Sequence, residues 1–136
     1  MFKTTKGLVL REARYKEADR GKWTVNEGSV VEGFEGLRKD IALLALGSYF
    51  AECLEAFSVE EEPEPALLQL GLNSLYALSN GLGDPEKIKA AFELRLMCLT
   101  GFQPQVASCA VCGKAEPEDA VLHFDDGVIC CRSCRF

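Results

Sequence analysis

Apolar and polar residues alternate with a period near two at the start of the chain and near 3.6 through its middle, and the change falls after Gly36. From Thr4 to Glu12 the sequence TTKGLVLRE puts Leu8 and Leu10 on one face and Val9 and Arg11 on the other, which suits a strand covered mainly on one side. A second β-rich stretch, WTVNEGSVVEGF from Trp23 to Phe34, has Gly28 and Gly33 as breaks and Val25, Val30 and Val31 as candidates for burial. Trp23 reads as a packing residue, with base stacking as its alternative.

Beyond Gly36 the pattern predicts three helices. Leu37 to Phe57 sets Leu37, Ile41, Leu44, Leu46, Tyr49, Phe50, Cys53, Leu54 and Phe57 on a broad apolar face, opposite Arg38, Lys39, Ser48, Glu52 and Glu55. Glu60-Glu61-Glu62-Pro63-Glu64-Pro65 then stops this helix, because adjacent acids and prolines favour an exposed extended linker. The second helix starts near Pro65, is apolar almost all round from Leu67 to Leu78, and ends at Asn80-Gly81, as a central bundle helix would. The third has Asp84 as N-cap, Pro85 at the first position, Ile88, Ala91, Phe92, Leu96 and Leu99 on one stripe, and Gly101 past its end. Cys53 and Cys98 fall on apolar faces and read as small buried hydrophobes.

Composition narrows the class of protein. The chain has 136 residues, 48% hydrophobic and 26% charged, which fits a globular protein and excludes collagen-like or disordered chains. No apolar run approaches the roughly 18 residues that span a bilayer, and Met1 to Lys6 lacks the apolar stretch of a signal peptide, so a cytoplasmic protein without a membrane partner is expected. The net charge of −6 is unevenly spread. Residues 1–22 carry seven bases (Lys3, Lys6, Arg11, Arg14, Lys16, Arg20 and Lys22) against three acids, a net +4, while the remainder carries −10. A basic arm on an acidic body suits a phosphate-facing surface at one end only, although a solvated strand with scattered charges has the same composition.

The strongest chemical signal is Cys109-Ala110-Val111-Cys112, then 18 residues, then Cys131-Arg132-Ser133-Cys134. Two CxxC pairs at this separation match a tetrahedral zinc ribbon, in which each pair clips the metal from its own tight turn. Between them Val121 to Ile129 reads as a hairpin turning at Asp126-Gly127. A segment of 26 residues buries too little apolar surface to fold alone, whereas zinc supplies on the order of 10 kcal/mol of folding free energy. Cys130 offers a second clip with Cys134, but the two-residue spacing favours Cys131. His123, the only histidine, reads as an exposed hairpin residue outside a complete set of four thiolates. Four cysteines leave no open position for catalytic zinc, and a thioredoxin-like redox site uses one pair in a βαβ setting.

These elements together resemble the bacterial RecO recombination mediators. Thr5-Lys6-Gly7-Leu8-Val9-Leu10-Arg11-Glu12 with Glu17-Ala18-Asp19-Arg20 is similar to that family's first strand and turn. Trp23 to Asn26 and Val30 to Asp40 resemble its passage from the last barrel strand into the first long helix. The most specific match is Phe92-Glu93-Leu94-Arg95-Leu96-Met97-Cys98-Leu99-Thr100-Gly101-Phe102-Gln103-Pro104, leading into Cys109-Ala110-Val111-Cys112-Gly113. The resemblance implies an α+β protein: a partial OB-fold over residues 1–36, a helical domain over 37–108, and a four-cysteine zinc ribbon over 109–134, inserted in or appended to the helical domain. The family's middle barrel strands would fall between Arg20 and Gly21 and are absent, so the OB-fold-like unit is incomplete and a wide separation of these two residues is expected. The family also continues past the ribbon with further helices, whereas this sequence stops two residues after Cys134.

By the same resemblance the protein would be a non-enzymatic mediator of DNA repair in the bacterial cytoplasm, associated with the nucleoid. It would bind single- and double-stranded DNA, anneal complementary strands, join RecR, and help place RecA on DNA coated by single-strand-binding protein. The candidate DNA contacts are Lys6, Arg11, Arg14, Arg20 and Lys22, with Arg38 and Arg95 behind them. The expected cofactor is one structural zinc on Cys109, Cys112, Cys131 and Cys134. An interaction scaffold that binds partners through the ribbon and bundle, without DNA, is the alternative from another class, and the acidic body supports it. A thiol oxidoreductase rests on the CxxC pairs alone.

Overall fold

A computed structural model of the chain describes residues 9–18, 22–59 and 62–135. Its elements are β1 (Val9–Ala18), β2 (Lys22–Glu32), a 3-10 turn (Glu35–Lys39), α1 (Ile41–Phe57), α2 (Pro65–Ser79), α3 (Pro85–Leu99), β3 (Gln105–Cys109), β4 (Val121–His123) and β5 (Val128–Cys130). This is an α+β chain, and it divides into two compact units between Glu93 and Leu94.

In the first unit β1 and β2 form a two-stranded antiparallel sheet running from Val9 opposite Glu32 to Ala18 opposite Lys22. Its register shifts three times, between Val9 and Leu10, Leu10 and Glu12, and Arg14 and Tyr15, as bulges do when they coil a pair of strands. Among the described residues these two strands close no barrel. The pairing of Ala18 with Lys22 joins β1 to β2 across three positions, and the junction of Arg20 with Gly21 lies outside the described residues. The alternation suggests burial of Val30 and Val31, yet they are 54% and 55% exposed. Adjacent strand residues point to opposite faces, so neither face is covered at this end of the sheet.

The strand ends at Glu32 because Phe34 takes a left-handed conformation (φ 48°). Its amide donates to the Glu32 carboxylate at 2.8 Å, and its carbonyl accepts from Leu37 at 3.1 Å. Phe34 and Leu37 are both buried.

The continuous helix expected from Leu37 is broken at Asp40. That residue is extended (φ −137°, ψ 124°) and its carboxylate accepts from the Ala42 amide at 2.8 Å. A short acidic side chain that can cap the following turn outcompetes helix continuation at its own position, so α1 begins at Ile41. Ile41 itself is 86% exposed, and Leu44 and Phe57 lie partly outside the apolar stripe to which the periodicity assigns them.

The buried stripe is set instead by close approach at two glycines. A Cβ at Gly47 would lie 3.0 Å from a Leu37 methyl and 3.3 Å from one of Leu75, and a Cβ at Gly71 would collide with Leu54. Phe50 stacks on Phe92 with centroids 4.1 Å apart and planes inclined by 22°, and both rings are fully buried.

α2 is more one-sided than its composition suggests. Leu67, Gly71, Ser74, Leu75 and Leu78 are buried while Tyr76 is half exposed, the i, i+4, i+7, i+8 spacing of a single packed face. Pro65 starts it, and Gly81 (φ 63°) ends it with the Leu82 amide bonded back to the Ala77 carbonyl at 3.0 Å. α3 starts as its sequence predicts, with the Asp84 carboxylate accepting from the Glu86 amide at 2.9 Å, and stops at Gly101 (φ 91°). Cys53 and Cys98 are half-buried rather than enclosed, since each sits at the margin of its helix stripe. Of the acidic linker, Glu62 to Glu64 are exposed, and Glu60 and Glu61 lie outside the described residues. No helix among the described residues is long and apolar enough to cross a membrane.

Candidate metal centre

The second unit is built around a three-stranded sheet in the order β3-β5-β4. β4 and β5 form the expected hairpin, with His123 opposite Val128 across residues 124–127 and Gly127 supplying the left-handed position (φ 62°). β3 pairs in parallel with β5, at Gln105 with Val128 and Cys109 with Ile129. No alternation in the sequence marks this strand, because Gln105 to Ser108 are all exposed. Its hydrogen bonds are nevertheless what fix the first cysteine: Gln105 donates to the Gly127 carbonyl at 2.7 Å, and Ala110 to that of Ile129 at 2.9 Å.

Each CxxC pair occupies a tight turn closed by its own backbone. After the first, Gly113 (φ 74°) donates to the Cys109 carbonyl at 2.9 Å, and Cys109 donates to the Lys114 carbonyl at 2.8 Å. After the second, Cys134 and Arg135 donate to the Cys131 carbonyl at 2.9 and 3.1 Å. The two turns face each other at one end of the sheet, where the sulfurs of Cys109, Cys112, Cys131 and Cys134 all lie within 4.8 Å of one another. Cys130 is not in that group; it is buried in the strand opposite Val121 and packs with Cys109 and Cys131 in a small core.

The electrostatics of this cluster favour a cation at its centre. Amide donors from Cys112 and then Cys131 pull the Cys109 thiol down to about 6, while the Cys134 thiol, which donates to Cys131 and then to Cys112, is pushed up to about 12. Cys131 is lowered, chiefly by its hydrogen bond with Cys134. Burial raises Cys130. Four thiolates this close cannot all ionise without a cation, so the protons are shared unequally.

A metal fits this geometry. A tetrahedron of bonds of about 2.3 Å between zinc and sulfur has edges of about 3.8 Å. The sulfurs of Cys112 and Cys131 are 3.8 Å apart. The four cysteines can therefore hold one metal ion with little rearrangement.

His123 is outside the four-sulfur group and is half-buried rather than exposed. In β4 it shares the covered face with Val121, one residue away from the exposed Leu122, so the strand period draws it inward. Of the basic candidates, Arg11 lies at a register shift in β1, Arg14 lies opposite Glu27, and Lys22 lies opposite Ala18. Lys6 and Arg20 are outside the described residues. Arg38, on the 3-10 turn, and Arg95, on α3, are exposed. The cysteine cluster belongs to the second unit, and the basic residues of β1 and β2 belong to the first.

The family described as Recombination protein O C terminal matches residues 38–136. The chain is 33% identical over 113 residues to the DNA repair protein RecO of Caldicellulosiruptor bescii, a match covering 83% of the chain and 46% of that protein. It is 34% identical over 112 residues to the DNA repair protein RecO of Acetivibrio thermocellus, covering 82% and 45%. The corresponding protein of Listeria monocytogenes is 31% identical over 112 residues, covering 82% and 44%. The chain thus spans about half the length of the curated relatives it matches.

Proposed function

The chain belongs to the recombination protein O family of DNA repair proteins, and from that premise we propose that it serves as a non-enzymatic recombination mediator that binds and anneals DNA. The observation that carries this reading is the continuous family match from Arg38 through both CxxC turns, which takes in the helical segment and the metal centre together. Its partners in this reading are single- and double-stranded DNA, RecR and single-strand-binding protein, and its outcome is the loading of RecA. It works in the bacterial cytoplasm at the nucleoid.

In the same reading β1 and β2 belong to an OB-fold-like unit, incomplete in this chain. Arg11 and Arg14 lie three positions apart on β1, Lys22 pairs with Ala18 near the far end of the sheet, and in this reading all three contribute to a phosphate-binding surface. Such contacts position a strand without reading its bases.

Cys109, Cys112, Cys131 and Cys134 would hold one zinc. Bound there, zinc would supply a cross-link and a positive charge without an open coordination site, which is a folding role. The chain's own residues do the rest: β5 carries Cys131 to the first turn, and the Cys131 amide holds the Cys109 sulfur at 3.3 Å.

Mixing the zinc-loaded protein with complementary fluorescently labelled oligonucleotides tests the reading. Pairing faster than the spontaneous rate is expected. Absence of both annealing and DNA binding at low salt would favour the interaction scaffold, to which the −10 charge outside residues 1–22 also points.

A further inference from the structure

We propose that Cys112 and Cys131 form an oxidation site of the zinc ribbon, at which a hydroperoxide converts two metal-ligating thiolates into one disulfide joining the two CxxC turns and releases the metal. This rests on the zinc reading above and goes beyond it, because it assigns unequal roles to four cysteines that a structural site treats alike.

The inequality is geometric. Cys109 is 2% exposed and its sulfur accepts from the Cys131 amide at 3.3 Å, so it is both shielded and tethered. Cys134 is half-buried, with its turn closed on the Cys131 carbonyl. Cys112 alone of the four is exposed, beside the exposed Val111. A soluble oxidant therefore meets Cys112 first.

The partner that resolves it is Cys131, whose sulfur lies 3.8 Å away in the facing turn and needs to close by less than about 2 Å to reach the bonding distance of a disulfide. Cys131 is 7% exposed, which keeps it from a bulky thiol while leaving it open to its neighbour. Cys130, buried opposite Val121, stays outside the exchange.

The chemistry balances with a hydroperoxide as the only added reactant. The Cys112 thiolate attacks one peroxide oxygen and the O–O bond breaks, giving a sulfenic acid at Cys112 and hydroxide, or alkoxide from an organic peroxide. The Cys131 thiolate then attacks the Cys112 sulfur; the S–O bond breaks, hydroxide leaves, and the S–S bond forms. Two thiolates lose two electrons, the peroxide gains them, and Cys109 and Cys134 remain reduced.

Trypsin separates the alternatives, since cleavage after Arg95, Lys114 and Arg132 puts Cys112 on residues 96–114, Cys131 on 115–132 and Cys134 on 133–135. The zinc-loaded full chain is treated with hydrogen peroxide, zinc release is followed with a colorimetric chelator, and the digest is mapped by tandem mass spectrometry. The expected product is peptide 96–114 joined to 115–132 through Cys112 and Cys131, with about one zinc released per disulfide. A Cys130→Ser variant should give the same link and the same release. A disulfide confined to 96–114, one joining 115–132 to 133–135, one through Cys130, or a Cys112–Cys131 link formed while zinc stays bound, would overturn the proposal. A chain that binds no zinc yet forms the Cys112–Cys131 link would overturn the zinc reading and leave the oxidation site standing.

Discussion

The backbone amide of Cys131 donates to the sulfur of Cys109 at 3.3 Å, across 22 positions of sequence and inside the buried part of the cysteine cluster. One turn therefore orients the ligand of the other. The hydrogen bond also places the first residue after β5 directly against the last residue of β3, so sheet and cluster are a single unit.

Removing the metal should loosen this unit selectively. The ribbon's buried residues are few, mainly Cys109, Ile129, Cys130 and Cys131, whereas the helices bury Phe50, Leu67, Leu75, Leu78 and Phe92. A strong chelator, or Cys112→Ser, should abolish amide protection in β3, β4 and β5 while helical circular dichroism changes little. Parallel loss of both signals would show that the helices depend on the metal too.

The 3-10 turn is locked by a close approach. The Gly36 amide donates to the Ser79 hydroxyl at 3.1 Å, and a Cβ at position 36 would run into the Ser79 carbonyl oxygen, a backbone atom that cannot swing aside. Gly36→Ala should destabilise by about 1–3 kcal/mol, the range for forced overpacking. Ser79→Ala, which removes only the hydrogen bond, should cost about 1 kcal/mol. Denaturant midpoints of the two variants check the order, and equal effects would contradict it.

Tyr49, Glu93 and Lys89 give the stability a pH signature at both ends. The Tyr49 hydroxyl donates to the Glu93 carboxylate at 2.7 Å, and Lys89 sits 3.1 Å from the same oxygen. The hydrogen bond from Tyr49, then that from Lys89, holds Glu93 below its ordinary value, and the bond to Glu93 raises Tyr49 above its own. Because the folded Glu93 binds its proton less tightly than the unfolded chain does, its contribution is present above about pH 4.3 and is lost as pH falls through the lowered value. For Tyr49 the sign reverses: the contribution is whole below about pH 10 and is lost as pH rises beyond it. Tyr49→Phe should be less stable than the parent at neutral pH, with the difference shrinking as pH falls below about 4.3 and as it rises above about 10. A difference independent of pH would contradict the pairing.

What the sequence disclosed depended on how local the physics was. α3 was legible because Asp84, Pro85 and Gly101 act within one turn of themselves, and the CxxC turns were legible because two-residue spacing dictates a clip. The break at Asp40 is hidden from the periodicity although its capping chemistry is also local, since the apolar period runs unbroken across it. Burial failed where it depended on neighbours: Val30, Val31 and Ile41 have apolar side chains left largely uncovered, and His123 is drawn inward by its strand. The parallel pairing of β3 rests on a partner strand distant in sequence and on backbone groups alone, which no side-chain pattern records.

The salt dependence of single-strand binding decides whether the basic N-terminal arm contacts DNA. With three or four phosphates neutralised by Lys6, Arg11, Arg14, Arg20 and Lys22, log affinity should fall against log salt with a slope of about −2 to −3, taking about −0.7 per contact. Arg11→Ala with Arg14→Ala should flatten the slope by about 1.4 and weaken binding to every sequence alike. Binding that ignores salt, or a slope unchanged by losing both arginines, would contradict DNA contact through this arm.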